Sequence, residues 1–518
     1  MQMLGPMGGT PRSMGARTPE RTRLLVALIA GTMLSLPGAA HAETLQGALA
    51  KAYQTNPTLN AARANQMATD ENVPIQRAAG LPSLQINSTY NENVLIPGGQ
   101  FVVIPRTLQS QGQLQVPIYQ GGLVKNNIKA ADARVAAGAE TLRATEASVF
   151  SQVVAAYNDV IRDMAIVELN RSNVAQLEVN LRATADRFEV GDLTRTDVAQ
   201  SEARLSQARA DLRNAEANLI ASKERYIQQV GDVPTELVAP PPLPNLPADV
   251  TEAVEIAIKE NPDIAAATKN SEAAGFDVKA ARAGRLPTLS GFGTLSRNDN
   301  FGDVIANVPV NIPAAQVSGV IGAQLSLPLY QGGRPSAQIR QAQARKTAAM
   351  ENQIGTERSV IQQVRAAFAS WRASLDVIKS AEAAIAANSL SLEGVRAENG
   401  VGNRTIIEVL NAEQELINAR VTLATARRNA YVAGFTLLAA MGNAEARDLD
   451  LQGLTLYDPA ENYRKARGNF LDWTGRDTPM IRSTRTVTTP PQDATPVGAT
   501  PNPVPDANPR DGSAATIR

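Results

Sequence analysis

The chain has 518 residues, 50 basic against 50 acidic side chains, one histidine, no cysteine and 4% aromatic residues. With no thiol, and with the one histidine, His41, in what reads below as a removable leader, Ser-His-Asp and Cys-His nucleophiles, His or Cys zinc sites, haem attachment and Fe–S ligation are excluded from the mature chain, and carboxylate chemistry or carboxylate-held Mg²⁺ and Ca²⁺ survive. Zero net charge leaves none of the surplus Lys and Arg that general nucleic-acid binding needs.

In chain order, residues 1–42 carry Arg12, Arg17, Arg21 and Arg23, the 13-residue apolar run Leu24–Leu36, and Pro37-Gly38-Ala39-Ala40-His41-Ala42. This order of basic region, short apolar region and Ala-x-Ala reads as a secretory signal peptide, cleaved after Ala42 to leave Glu43 first. The run is shorter than the ~20 residues of a membrane span, and the sequence has no other apolar stretch near that length. A chain of this kind enters a membrane only as a closed β-barrel.

From Glu43 the sequence repeats itself. Asn56-Pro57 recurs as Asn261-Pro262 and Leu81-Pro82 as Leu286-Pro287, at an offset of 205. Pro117-Ile118-Tyr119-Gln120-Gly121-Gly122 recurs as Pro328-Leu329-Tyr330-Gln331-Gly332-Gly333, at an offset of 211 that persists through Gly231 and Gly442. The expected organisation is a first repeat over 43–231, a Pro-rich linker over 232–248 and a second repeat over 249–442. A C-terminal segment over 443–473 and a Pro/Thr-rich tail over 474–518, expected to be disordered, complete the chain.

Each repeat opens with short helices, Asn56 and Asn261 serving as N-caps ahead of a proline at the first helical position. Pro74, matched by Lys279, is expected to break or kink the first copy only. Two strands follow in each copy, at about 83–95 and 106–118, then 288–300 and 315–329. Leu108, Ser110, Gly112, Leu114, Val116 and Ile118 alternate with Gln109, Gln111, Gln113 and Gln115, which fits strands with one apolar and one uncharged polar face. Four strands cannot enclose a pore, so a barrel requires several protomers.

The remainder of each copy predicts a long helical hairpin, over 122–230 and 334–441. Val149, Val153, Tyr157, Val160, Met164, Val167, Val174 and Leu181 map at the offset of 211 onto Val360, Val364, Phe368, Trp371, Leu375, Ile378, Ile385 and Leu392, all apolar. Gly191 and Gly402 mark the turns. Beyond them Val198, Leu205, Leu212, Leu219 and Tyr226 recur every seventh residue, as do Val409, Leu416, Leu423, Ala430 and Leu437, a coiled-coil stripe.

The ordered set of signal peptide, short helices, strand pair, Tyr-Gln-Gly-Gly joint (119–122 and 330–333), long hairpin and turn Gly402-Asn403-Arg404-Thr405-Ile406-Ile407-Glu408-Val409-Leu410-Asn411 resembles the TolC family of outer-membrane efflux and type I secretion channels over about 44–442. The resemblance implies a homotrimer with four strands per chain in a 12-stranded outer-membrane β-barrel, continued through the periplasm by a helical barrel with a coiled-coil tip. It implies a Gram-negative outer-membrane location, contact with outer-membrane lipid, and recruitment by a periplasmic adaptor and an inner-membrane ABC or RND-type pump. No catalysis, cofactor or nucleic-acid partner is expected of such a passive duct for small molecules or proteins.

By position, the family's gate latch falls on Arg404, Thr196 and Asp197, joining one hairpin to its neighbour, and its pore acid falls on Glu408. Asn411 replaces a second acid and Asn399 replaces a tyrosine found in many members, which implies one carboxylate ring and a weaker cation block. Asp197 and Glu408 also stand on the first turn of a descending helix, where carboxylates favour the positive dipole end. Tyr457-Asp458-Pro459 and Asn462-Tyr463-Arg464 resemble members that serve type I secretion. The alternative is a periplasmic coiled-coil adaptor or structural protein without a pore, but adaptors usually carry one helical hairpin, whereas this chain predicts two and two strand pairs.

Overall fold

A computed structural model describes residues 43–94, 102–302, 305–306, 311–449, 451, 455–469, 471–473, 475 and 481–497; the expected signal peptide lies outside the described residues. α1 (Leu45–Thr55) is capped by the Thr44 hydroxyl, which accepts the Gly47 N–H at 3.1 Å. α2 (Pro57–Asp70) starts where the Asn56 side chain accepts from Thr58 N at 2.9 Å and Leu59 N at 3.3 Å, with Pro57 at the position whose missing N–H costs nothing. It stops at Asp70, four residues before Pro74, whose ring would clash with that carbonyl, and Pro74 falls within the next helix, α3 (Asn72–Ala78).

β1 (Ser83–Glu92), β2 (Val102–Val103) and β3 (Arg106–Gln120) lead into α4 (Leu123–Glu189) and α5 (Arg195–Val230). After α6 (Val250–Glu260), α7 (Pro262–Ala283) runs unbroken through Lys279, in contrast to the interrupted α2 and α3. β4 (Thr288–Phe301), β5 (Ile305–Ala306), β6 (Ala315–Ser326), α8 (Arg334–Gly400), α9 (Ile406–Met441) and α10 (Pro459–Gly468) complete the order. The strand expected to reach 329 ends at Ser326, because its partner β4 begins at Thr288, directly opposite, and offers nothing further to pair with.

β1, β3, β4 and β6 form one antiparallel sheet in that order, and β2 pairs with β5. Register places Leu84, Leu114, Gly293 and Ile321 in one row across the sheet. The next row places Gln85 beside Gln113, whose side chains hydrogen bond at 3.2 Å. Each large side chain is set opposite a small one in places: a Cβ on Gly322 would meet the Phe292 ring at 2.7 Å. In the single chain this apolar face is bare, with Leu84 71%, Ile86 75% and Ile321 93% exposed.

α4 and α8 each span 67 residues, about 100 Å at 1.5 Å per residue. The strand-to-helix joint before α4 needs glycine twice. Gly121 and Gly122 have φ of +61° and +83°, and a Cβ on Gly121 would meet the Leu286 Cβ at 2.8 Å. α4 packs against α5, α7 and α9, while α8 packs against α9 and α7. The main core joins Tyr53, Phe150, Tyr157, Met164, Tyr226, Phe435 and Met441, where α1 and α6 cross the long helices. Buried Asp159 ties three of those helices at once, accepting from Arg162 of α4 at 3.0 Å, Arg225 of α5 at 3.3 Å and Arg428 of α9 at 2.8 Å.

The C-terminal segment seats α10 against α4 and α2: Tyr463 donates to Asp132 of α4 at 2.6 Å and Asn462 to Asp70 of α2 at 2.5 Å. Asp458, singled out in the sequence, caps α10 through the Ala460 N–H at 2.8 Å. The tail expected to be disordered is not free throughout. Residues 481–497 lie against α5 and α4, because main-chain carbonyls that a Pro/Thr-rich segment cannot pair internally are taken up by Lys223 and Arg171.

Candidate functional site

The far ends of the two hairpins are built alike. At the α4–α5 turn, Gly191 at φ +82° lets its own N–H reach the Phe188 carbonyl at 3.0 Å and the Asp192 N–H reach the Arg187 carbonyl at 2.9 Å. At the α8–α9 turn, Gly402, also at φ +82°, repeats the pair with Asn399 at 3.0 Å and Glu398 at 2.9 Å. This double closure is a Schellman ending, which an L side chain at the left-handed position would strain. Each descending helix then starts with a capping box: Thr194 with Asp197, and Thr405 with Glu408.

The boxes decide what the carboxylates do. Asp197 accepts the Thr194 hydroxyl at 2.7 Å and its N–H at 2.9 Å, and these bonds hold its carboxyl below the ordinary range. Glu408 accepts the Thr405 N–H at 2.9 Å through one oxygen and Arg404 at 2.7 Å through the other. The Thr405 bond first, then Arg404, lowers its pKa as well. Arg404 also reaches Glu398 at 2.6 Å, so it lies between two carboxylates of its own hairpin, and both hold its guanidinium above the usual value. The Asn399 side chain donates to the Arg404 carbonyl at 2.7 Å, bracing the turn.

Of the residues singled out in the sequence, Arg404 and Glu408 therefore meet on one hairpin. Asp197 serves its own helix end and Thr196 is exposed, while the Arg404 guanidinium is taken up by Glu398 and Glu408 of its own hairpin. Asn411 has a partner of another kind: its side-chain oxygen accepts from Arg204 of α5 at 2.7 Å.

A second buried carboxylate, besides Asp159, ties the hairpins together nearer their turns. Glu413, 5% exposed, accepts from Asn180 of α4 at 2.9 and 3.1 Å and from Arg396 of α8 at 2.7 Å. One buried carboxylate on α9 thus fastens two ascending helices. Its signal was an acid four residues after Val409 and three before Leu416, beside the apolar stripe, where a charge is buried only with partners.

The profile of outer membrane efflux proteins matches residues 48–231 and 253–443. The chain belongs to the outer membrane efflux protein family. It is 36% identical over 461 residues to the outer membrane efflux protein BepC of Brucella suis biovar 1 (strain 1330), spanning 87% of this chain and 96% of that one. To the outer membrane protein TolC of Escherichia coli (strain K12) it is 27% identical over 443 residues, spanning 82% and 88%. The crystal structure of the outer membrane protein VceC from Vibrio cholerae shares the fold, with a TM-score of 0.65 over 77% of this chain and 96% of that one, at 21% identity. As a member of the outer membrane efflux protein family, this chain is an export channel of the outer membrane with a periplasmic extension, in a family of channels rather than enzymes. Among the described residues no helix is long and apolar enough to cross a membrane.

Proposed function

We propose that three copies of the chain join their four-stranded sheets into one 12-stranded barrel, and that their hairpins continue it as a closed helical duct. The observation that carries this reading is the sheet itself. Among the described residues β1 and β6 each pair on one side only, and an open apolar edge of this kind is an aggregation hazard unless another sheet completes it. Four strands are too few to surround a channel, whereas 12 suffice. A twofold internal repeat then gives each copy two hairpins, and the three copies twelve helices. Cleavage after Ala42, readable by N-terminal sequencing of the mature protein, puts the chain on the secretory route.

Export is passive in this reading. A periplasmic adaptor and an inner-membrane ABC or RND-type pump recruit the duct, and no cofactor takes part. The closed end is held at two levels. Inside each chain Glu413 and the Arg204–Asn411 pair tie the hairpins together; between copies, Arg404 meets Thr196 and Asp197 of a neighbour. The Glu408 carboxylates form the single acidic ring, each partly neutralised by its own Arg404. Gly191 and Gly402 are the turns about which the hairpins reorganise on opening.

Single-channel recording in planar bilayers tests the duct: a cation-selective conductance from a heat-modifiable trimer is expected, and a soluble periplasmic monomer without conductance would sink the proposal. Deleting the gene and assaying secreted protein beside drug sensitivity separates the two cargo classes.

A further inference from the structure

A segment of the chain's own C-terminal tail occupies a built receptor on the α4–α5 hairpin. Lys223 lies on α5 with 1% of its side chain exposed, and the carboxylate it pairs with, that of Asp493, is 3.8 Å away, at the outer limit of an ion pair. Its ammonium is spent chiefly on two main-chain carbonyls of the tail, Thr495 at 2.6 Å and Asp493 at 2.9 Å. Arg171 of α4 donates to the Ala494 carbonyl at 3.1 Å between them, and Glu224 of α5 accepts the Gln492 N–H at 3.0 Å. Four of these contacts on 492–495 read main-chain groups, and the long ion pair to Asp493 reads a side chain.

A second anchor lies higher on the hairpin. Thr484 donates to the carbonyl of Gly231, the residue ending α5, at 3.2 Å, and Asn60 of α2 donates to Ser483 at 3.1 Å. A Cβ on Gly231 would lie 2.5 Å from the Thr484 hydroxyl, so the tail fits against the bare backbone there. Between the anchors the tail turns at Thr486–Thr489 and bridges a cavity of about 400 Å³ lined by Asn56, Ile227 and Gln228. The segment is held at two points and lifted in the middle.

We propose that residues 481–497 are a strap in cis, and that the α4–α5 hairpin is a peptide-binding surface whose resident ligand is this strap. The chemistry fits an extended proline-bearing chain. Pro490, Pro491 and Pro496 remove competing N–H donors and keep the chain from folding on itself, leaving carbonyls free for a cation. Burying an ammonium without a partner is costly, so Lys223 favours the occupied state. A second extended segment reaches this face only after the strap lifts. The inference rests on the contacts of one chain and does not depend on the export reading.

The cysteine-free chain makes the test direct. In the full-length protein, Glu224→Cys with Gln492→Cys and a short thiol-thiol crosslinker should join within one chain, keeping the tail attached to its own α5 after proteolysis between them. An inter-chain adduct would overturn the cis assignment, and the absence of any adduct would overturn the strap. Lys223→Met, which keeps the apolar stem, should raise the rate of tail cleavage and of amide exchange at Gln492 at least tenfold while the melting temperature of the channel holds. Unchanged protection of the tail in that variant removes Lys223 as its receptor. Should Lys223→Met fail to fold, Arg171→Gln reads the same protection from α4.

Discussion

The two hairpins differ in what covers them far more than in what they are made of. α4 and α8 have the same length, as do α5 and α9, and the apolar stripe of one maps onto the other at a constant spacing. On α4 the stripe is sealed as far as Val167: Val149, Val153, Tyr157, Val160, Met164 and Val167 are all buried under α1, α5, α7 and α9, and only Val174 and Leu181, nearer the turn, are half-exposed. On α8 only Ile339, Val360, Val364, Ala367, Ala381 and Leu392 are buried, and Phe368, Trp371, Leu375 and Ile378 are half-exposed. Equal patterning with unequal cover marks α4 as the helix about which the chain builds its core and leaves much of the α8 stripe open within the single chain.

The largest effect comes from opening that core. Met164→Ala should cost about 2–5 kcal/mol, the usual range for truncating a buried large side chain, read as a loss of melting temperature. The matched Leu375→Ala should cost much less in a dissociated chain. If it costs as much in the assembled channel, a neighbouring copy supplies the missing cover; an equally small cost in both would break the comparison.

Next, Glu413→Ala removes the acceptor for Asn180 and Arg396, and stranding such donors costs about 1–3 kcal/mol. Because both ascending helices lose their tie, single-channel conductance and antibiotic sensitivity should rise, with Glu413→Gln in between. Unaltered conductance would mean that the tie holds the fold and not the closed state. Arg204→Ala, which breaks one bond to Asn411, should cost roughly 0.5–1.5 kcal/mol and raise conductance less.

Smaller again are the exposed charges. Arg404→Ala uncovers Glu408 and should strengthen cation selectivity, while Glu408→Gln weakens it; reversal potentials in a salt gradient read both. Acid should act last. Asp197 and Glu408 have folded values lowered by their capping bonds, so their contribution is complete above the ordinary carboxylate values of 3.8 and 4.5 and fades only as pH falls through the lowered ones. Conductance should therefore hold across mildly acid solution and change below that range, and Asp197→Asn should abolish part of the change.

Much of this was legible in the residues. Asn-Pro at 56 and 261 foretold two helix starts, Pro74 foretold a break that α7 lacks, and the glycines at 191 and 402 foretold the turns. Alternation in β3 and β6 foretold strands. The site was legible only by position: Thr-x-x-Asp and Thr-x-x-Glu are readable as capping boxes, but the partner of Arg404 was not, since it depends on which of several acids the turn brings within reach. Glu413 was hidden because its meaning lies in Asn180 and Arg396, on two helices far from it in sequence. The tail misled for a related reason, as its composition forbids a core of its own but not a seat on another surface.

By itself the sequence determined the local grammar, with periodicity, caps, turn glycines and the absence of His and Cys chemistry in the chain past His41, because each of these is set by neighbours within one or two helical turns. Only the tertiary structure decided which stripe is covered, which carboxylate answers Arg404, that Glu413 joins three helices and that the tail answers Lys223. Those are pairings between residues tens to hundreds of positions apart, and no short-range preference encodes which two surfaces will meet.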